Sequence, residues 1–441
     1  MNFKQLEAAC LANGITEVEI YRVVTEGTSV STFNTEVDKN LVYSKNEMYI
    51  RGVSGGHIAS LYVERDEDGE IADIVRRLKE SAAVIESNDP FFIYGGSEKY
   101  DTLPAEEHDF DRYTLADRLE LCRKMENYIR GRSDAVTMTE AEVVAERETV
   151  TIENSNGLSV SRSNEDAALY CAGVVSKDGD TREGYYVDYV KNFADIDYEK
   201  LYQKAVARPL SQIGAKSVAS GTYPVVFENK MFASLLSCFL PMFSADAVIK
   251  KVCLLEGKVG EKVFGDNVTL YDDPLLECSH RRVTFDDEGV ATFRKTVVEG
   301  GVLKTYLHSL KTAKMLGAEP TGNGFKDGSG AITVGPTNLC LAGGERSFDE
   351  MISGIADGIL ITSMMGQHAG VNATAGTFNL QSSGFRIRDG KVAEPVTLIV
   401  VSGNIVDVLS NVAEVASDFE SSGRVACGSV HIKELSISGK A

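Results

Sequence analysis

The sequence predicts an α+β protein in two parts: an N-terminal mixed antiparallel-strand and helix domain over residues 1–217, then a mostly antiparallel β domain over 218–441. Three observations carry this. Short β-prone runs separated by Gly, Asn or Asp recur in both halves, as in antiparallel meanders. A few segments between them carry apolar residues at helical spacing. A chain of 441 residues also exceeds what one ordinary core holds.

Phe3–Leu11 has helical spacing and stops at Asn13-Gly14. Five β-prone runs follow, at Glu17–Val24, Thr28–Asn34, Asn40–Tyr43, Met48–Val53 and His57–Tyr62, then a charged turn from Arg65 to Gly69. Ile71, Ile74, Val75, Leu78 and Ala82 line one face of a helix. Asn88–Pro104 is a crossover loop, and Thr114 caps a helix running to about Ile129. Val136–Ala172 alternates in strand fashion around a turn at Asn154–Gly157, and Tyr198–Ala207 is helical. The second half opens with a strand at Gly221–Phe227 and an apolar helix at Asn229–Leu240. Arg281–Ser309 predicts three strands joined by tight turns, followed by helices at Leu310–Leu316 and Phe348–Ala356. Strands Gly384–Arg388 and Val396–Val401 flank Asp389-Gly390, a pair suited to a type I′ turn. Asn404–Ala416 predicts a helix and Ser429–Ile437 a closing strand.

A formal net charge of −20, with no basic run longer than Arg281-Arg282, argues against a nucleic-acid partner. The apolar runs are far shorter than the ~20 residues a membrane helix needs, and the N-terminus lacks the apolar core of a signal peptide. Eight scattered cysteines with no CxxC pair predict free thiols in a cytoplasmic protein.

The strong catalytic signatures are absent: no H-E-x-x-H, no phosphate-binding P-loop, and no two of the six histidines within three to five residues. Gly52-Val53-Ser54-Gly55-Gly56 has the spacing of a nucleophile elbow, with His57 next, but strand-like flanks favour a hairpin. Cys278-Ser279-His280 favours turn packing over metal ligation. Asp286-Asp287-Glu288 predicts a solvated hairpin tip, and Asp66–Gly69 lacks the ligand spacing of a calcium loop. In Gly366–Gly376, six of eleven residues are Gly or Ala, beside His368 and Asn372. Backbone so bare either packs closely on something or is approached closely by a ligand.

The stretches GQHAGVNATAGTFNLQSSGFRIRDGKVAEPV (366–396), CGSVHIKELSISG (427–439) and FDDEGVATFRKTVVEGGVLKTYLHSLKTAKMLG (285–317) resemble the TldD/PmbA family, and within it the PmbA or TldE branch. The resemblance implies cytoplasmic proteins working as a TldD–TldE heterodimeric zinc peptidase on extended or unfolded peptides. The family also circulates as a "modulator of DNA gyrase". It implies a metal helix H-E-x-x-x-H in the active partner, plus a downstream cysteine. Counted without gaps from Val225-Val226, that helix falls on Ser237–Met242. Ser237 and Met242 stand for the histidines and Cys238 for the general base, while Cys427 matches the third ligand. One thiolate without two imidazoles is not a catalytic zinc site.

The expectation is therefore a subunit without metal, cofactor or catalytic residue of its own, with zinc in a TldD-like partner. Gly366, His368, Asn372, Gly376 and Phe378 are the expected partner or peptide contacts. Two alternatives stand beside it: a peptidase in its own right using Cys238 or Cys427, and a non-enzymatic homodimeric regulator.

Overall fold

A computed structural model of the protein describes residues 1–64, 68–87, 89–104 and 106–440, with Asp68 described in its backbone only. The charged turn expected from Arg65 onward lies mostly outside the described residues. The chain forms two units, Met1–Ile213 and Gly214–Ala441.

In the first unit, β1 (Glu17–Phe33), β2 (Glu36–Ser54), β3 (His57–Val63), β4 (Val136–Asn154), β5 (Ser159–Lys177) and β6 (Asp180–Val190) form one antiparallel sheet in the order β3-β2-β1-β4-β5-β6. The four runs expected between Glu17 and Val53 are two long strands, because the punctuating Gly27 does not break β1. A Cβ there would stand 2.7 Å from the Tyr43 ring, so the glycine makes room for a neighbour's side chain. Ser54 pairs with His57 across a turn in which Gly55 and Gly56 have φ of 62° and 83°. The nucleophile-elbow spacing is thus a hairpin.

Helices cover one face of this sheet, among them the run expected from Tyr198, which is helical over 198–211 and buries Leu201, Ala205 and Val206. α1 (Phe3–Ala12) starts at Asn2, whose side chain accepts from the Lys4 and Gln5 N–H groups. With α2 (Ile71–Ala83), α1 buries Ile20, Ile50 and Leu61 of β1–β3. α3 (Leu115–Arg130) begins in a Thr114–Asp117 capping box and packs Cys122, Met125 and Ile129 on Val30, Val143 and Leu169. Burying side chains of that size contributes about 1.5–3 kcal/mol each, more than the cap's ~1 kcal/mol, so packing places the helix and the cap sets where it starts.

The second unit holds two larger sheets. One runs through Gly221–Phe227, Asp357–Met365, Thr377–Arg388, Lys391–Asn404 and Val430–Ser438; the other through Leu270–Asp272, Lys295–Glu299, Leu339–Leu341 and Val425–Cys427. Their pairings are antiparallel except Ile359 beside Val225 and Leu339 beside Val425, which are parallel. Asp389 and Gly390 take φ of 48° and 73°, the two left-handed positions expected at that hairpin.

Three local expectations fail. The helix at Asn229 ends at Ser237, because Pro241 cannot continue it and a 3₁₀ turn at Leu240–Phe243 follows. The predicted helix Asn404–Ala416 is a short helix, Ile405–Ser410, then a strand, Val412–Val415, pinned by pairing to Val430–Ile432. Within Arg281–Ser309 the regular strands are Lys295–Glu299 and Val302–Leu303, and the stretch before them folds around buried carboxylates.

Candidate functional site

The helix Asn229–Ser237 carries Phe232, Ala233, Leu235 and Leu236 into the largest core of the second unit. At its end the Ser237 hydroxyl donates to the Ala233 carbonyl at 2.7 Å, and the Cys238 thiol to the Ser234 carbonyl at 3.4 Å. Phe239 is fully buried and Met242 nearly so. Cys427, on the strand Val425–Cys427, is fully buried with Sγ 3.3 Å from the Asn229 carbonyl.

Cys427 therefore sits at the first turn of this helix and Cys238 just past its last. Burial pushes both thiols up, which disfavours the thiolate that a metal or nucleophile role requires. Ser237 and Met242 offer neither imidazole nor carboxylate. The residues present do not fit a catalytic zinc ion. Among the described residues, no group of three or more His, Cys, Asp and Glu is placed to hold a metal.

The glycine-rich stretch lies against the same helix. Gly366, at φ 83°, starts a single turn, Gln367–Gly370, and the Gln367 amide donates to Ser234 Oγ and to the Met364 carbonyl, both at 3.3 Å. Val371–Asn372 then pairs with Thr377–Phe378, and the Asn372 side chain accepts from the Ala375 N–H. A side chain at Gly370 would collide with the Asn379 carbonyl, and one at Gly376, at φ 74°, would lie 2.8 Å from Leu254. Close packing within the chain therefore accounts for these two glycines.

Of the five expected contact residues, Phe378 is corrected. It is 1% exposed and meets Phe239 edge-on at 6.3 Å, because its strand turns that position into the core. Gly376 is buried as well. His368 and Asn372 are exposed, and Met365 beside them is 61% exposed. The stretch is thus half core and half surface, and only the Met365–Ala375 side is open to a second molecule.

The largest departure from the sequence reading concerns acids. Asp286, Asp287 and Glu288, expected on a solvated tip, are all buried. The Asp286 carboxylate accepts from the N–H groups of Glu288, Val290 and Gly324, that of Asp287 from Lys326, and that of Glu288 from Leu310. Burial, then the charge of Glu288, holds Asp286 well above the usual carboxylate range against the pull of its three donors. In the same unit, Asp272 is fully buried and accepts from Lys295 Nζ at 3.1 Å, Asn323 Nδ2 at 2.8 Å, and the N–H groups of Thr337 and Asn338. Sequence reasoning missed this network because, apart from the N–H groups of Glu288 and Val290, its donors lie 22 to 66 residues away from the acids. A pairing of Asp272 with Lys295 has no local signature.

The first unit contains a cavity of about 380 Å³ over the middle of its sheet, lined by Glu26, Thr28, Val42, Phe110, Arg118 and Arg147 among others. Arg118, 8% exposed, spans from Thr28 to the carbonyls of Phe110 and Tyr113, and Arg147 pairs with Glu165 at 2.6 Å. These guanidinium groups are occupied in holding strands to the loop before α3. Sequence reading found no sign of this cavity.

Residues 220–439 match the model of the PmbA/TldA metallopeptidase C-terminal domain, and residues 108–213 that of the PmbA/TldA metallopeptidase central domain. Metalloprotease PmbA of Escherichia coli O157:H7 is 27% identical over 288 residues, 65% of this chain and 62% of that protein. The chain thus spans about three fifths of that curated relative's length. A crystal structure from Thermotoga maritima, of a protein described as a proposed modulator of a DNA gyrase, superposes with a TM-score of 0.91 over 99% of both chains at 29% identity. TldE from Thermococcus kodakarensis has the same fold, with a TM-score of 0.91 over 99% of this chain and all of that one at 24% identity.

Proposed function

Because the chain belongs to the PmbA/TldD metallopeptidase family, we propose that it is the subunit without a metal site in a TldD–TldE-type zinc peptidase that acts on extended or unfolded peptides. The observation that carries this is the state of the expected metal helix. Ser237 and Cys238 are hydrogen-bonded back onto their own helix, Met242 is packed in the core, and Cys427 is a fully buried thiol against the Asn229 carbonyl. None of these groups can activate a water or hold an ion that does. The chemistry then belongs to a TldD-like partner that binds zinc, and this chain's contribution is to shape or close the substrate chamber. The exposed edge at Met365–Ala375, anchored to the same helix through Gln367, supports a contact role for His368 and Asn372. Among the described residues no helix is long and apolar enough to cross a membrane. A cytoplasmic location agrees with eight free cysteines.

The test is a peptidase assay on an unfolded protein, with this chain alone and then mixed with a TldD-like chain. The expected result is no cleavage alone and cleavage by the mixture, abolished by a chelator. Chelator-sensitive cleavage by the chain alone would overturn the reading.

A further inference from the structure

The helices of the first unit cover one face of its sheet, and the strand register identifies the side chains on the other. In successive rows across β1, β4, β5 and β6 these are Phe33, Glu140, Ala172 and Tyr185; Ser31, Glu142, Tyr170 and Val187; and Ser29, Val144, Ala168 and Tyr189. On β6 the apolar side chains are open: Tyr185 is 64% exposed, Val187 36% and Tyr189 50%, with the Tyr170 ring stacked on Tyr185 at 6.1 Å. Phe33 and Met138, on the same face, are each 40% exposed. Three large apolar side chains in alternation on one strand form a contiguous patch, which is uncommon on a surface that meets only water.

The charges around this patch are mainly negative. Glu183 stands beside Tyr185 on β6, and Glu140 occupies Tyr185's row. Glu142 is answered by Lys39 at 2.9 Å, while the charges acting on Glu140 are those of acids. Burial, then the charges of Asp38, Glu142, Glu126 and Glu183, raises its carboxyl above the ordinary value. An interface closing over Glu140 and Glu183 must bring positive charge or leave two carboxylates desolvated without partners. A second copy of this chain, itself at −20, would bring the same acids to the contact.

Resting on the two-chain reading above, we infer that this outer sheet face, centred on Tyr185, Val187 and Tyr189, is a docking surface for a different polypeptide whose apolar contact residues are flanked by Lys or Arg. The aromatic side chains provide the buried anchor area and the acids select the partner.

The experiment uses the full chain and a TldD-like chain as probe, with affinity measured by titration and folding by thermal melting. Two double variants are made, Tyr185→Ser with Tyr189→Ser and Glu140→Lys with Glu183→Lys. The expected result is that each weakens the complex about tenfold or more with an unchanged melting temperature, and that rising salt weakens the wild-type complex. If the wild type binds and both variants bind as well, the surface is wrong while the two-chain reading stands. If the wild type does not bind, both fail. If the chain alone forms a dimer that the tyrosine variant disrupts, the occupant is a second copy and the inference is overturned.

Discussion

Two lysine–carboxylate pairs in this protein have nearly equal lengths and opposite surroundings. Lys295 meets Asp272 at 3.1 Å with side chains 6% and 0% exposed; Lys39 meets Glu142 at 2.9 Å with side chains 45% and 29% exposed. The first is held in a cage of fixed donors, because Asn323 and two backbone N–H groups complete the coordination of Asp272. The second stands beside Glu140, whose carboxyl is raised by burial and by the neighbouring acids Asp38, Glu142, Glu126 and Glu183. Geometry alone would rank them together. Solvent separates them: a buried ion is strongly destabilising once its partner is removed, whereas an exposed one is taken over by water. The interior pair holds the fold, and the surface acids are available for recognition.

The largest expected effect follows from breaking the interior pair. Asp272→Ala strands the Lys295 ammonium and should cost roughly 3–5 kcal/mol, read as a shift of the denaturant midpoint. A loss below about 1 kcal/mol would mean that water reaches the site and that the contrast is false.

A smaller effect comes from pH. His308, 4% exposed in the same unit, is held below its ordinary value by burial. The fold keeps it neutral, while the unfolded chain takes up a proton as pH falls through about 6.5. Its stability contribution is therefore complete above that value and is lost as pH falls toward the lower folded value, by up to about 1.4 kcal/mol per pH unit. His308→Gln should flatten the stability–pH curve in that window; an unchanged curve would show that the histidine titrates freely.

Weaker still, Lys39→Ala on the sheet face should cost about 0–1 kcal/mol by the same measurement. Glu183→Lys should leave stability within about 0.5 kcal/mol. A large loss from either would make the outer face structural and would remove it as a recognition surface.

The sequence showed the elements whose signals are local. Thr114 with Asp117 marked the start of α3, Asp389-Gly390 the hairpin in the second unit, and the strand flanks of Ser54 showed that its motif was a turn. The length of β1 was hidden because Gly27 looks like a breaker until Tyr43 is seen across from it. Asp286–Glu288 misled for the same reason in reverse: three acids beside a glycine resemble a wet turn, and only Gly324, Lys326 and Leu310, far along the chain, reveal that they are satisfied inside. At the candidate site, the missing histidines at Ser237 and Met242 could be read from the chain. The break in the helix after Ser237 had a local signal in Pro241, whereas the burial of Phe378 had none, since packing against Phe239 and the core decides it.

The central claim is that this chain carries no catalytic metal site. Zinc content of the purified chain, alone and in complex with a TldD-like partner, tests it most directly. The account predicts far less than one zinc per chain alone and one per heterodimer. One tightly held zinc per chain of the isolated protein, lost together with Cys238 or Cys427 on substitution, would contradict it.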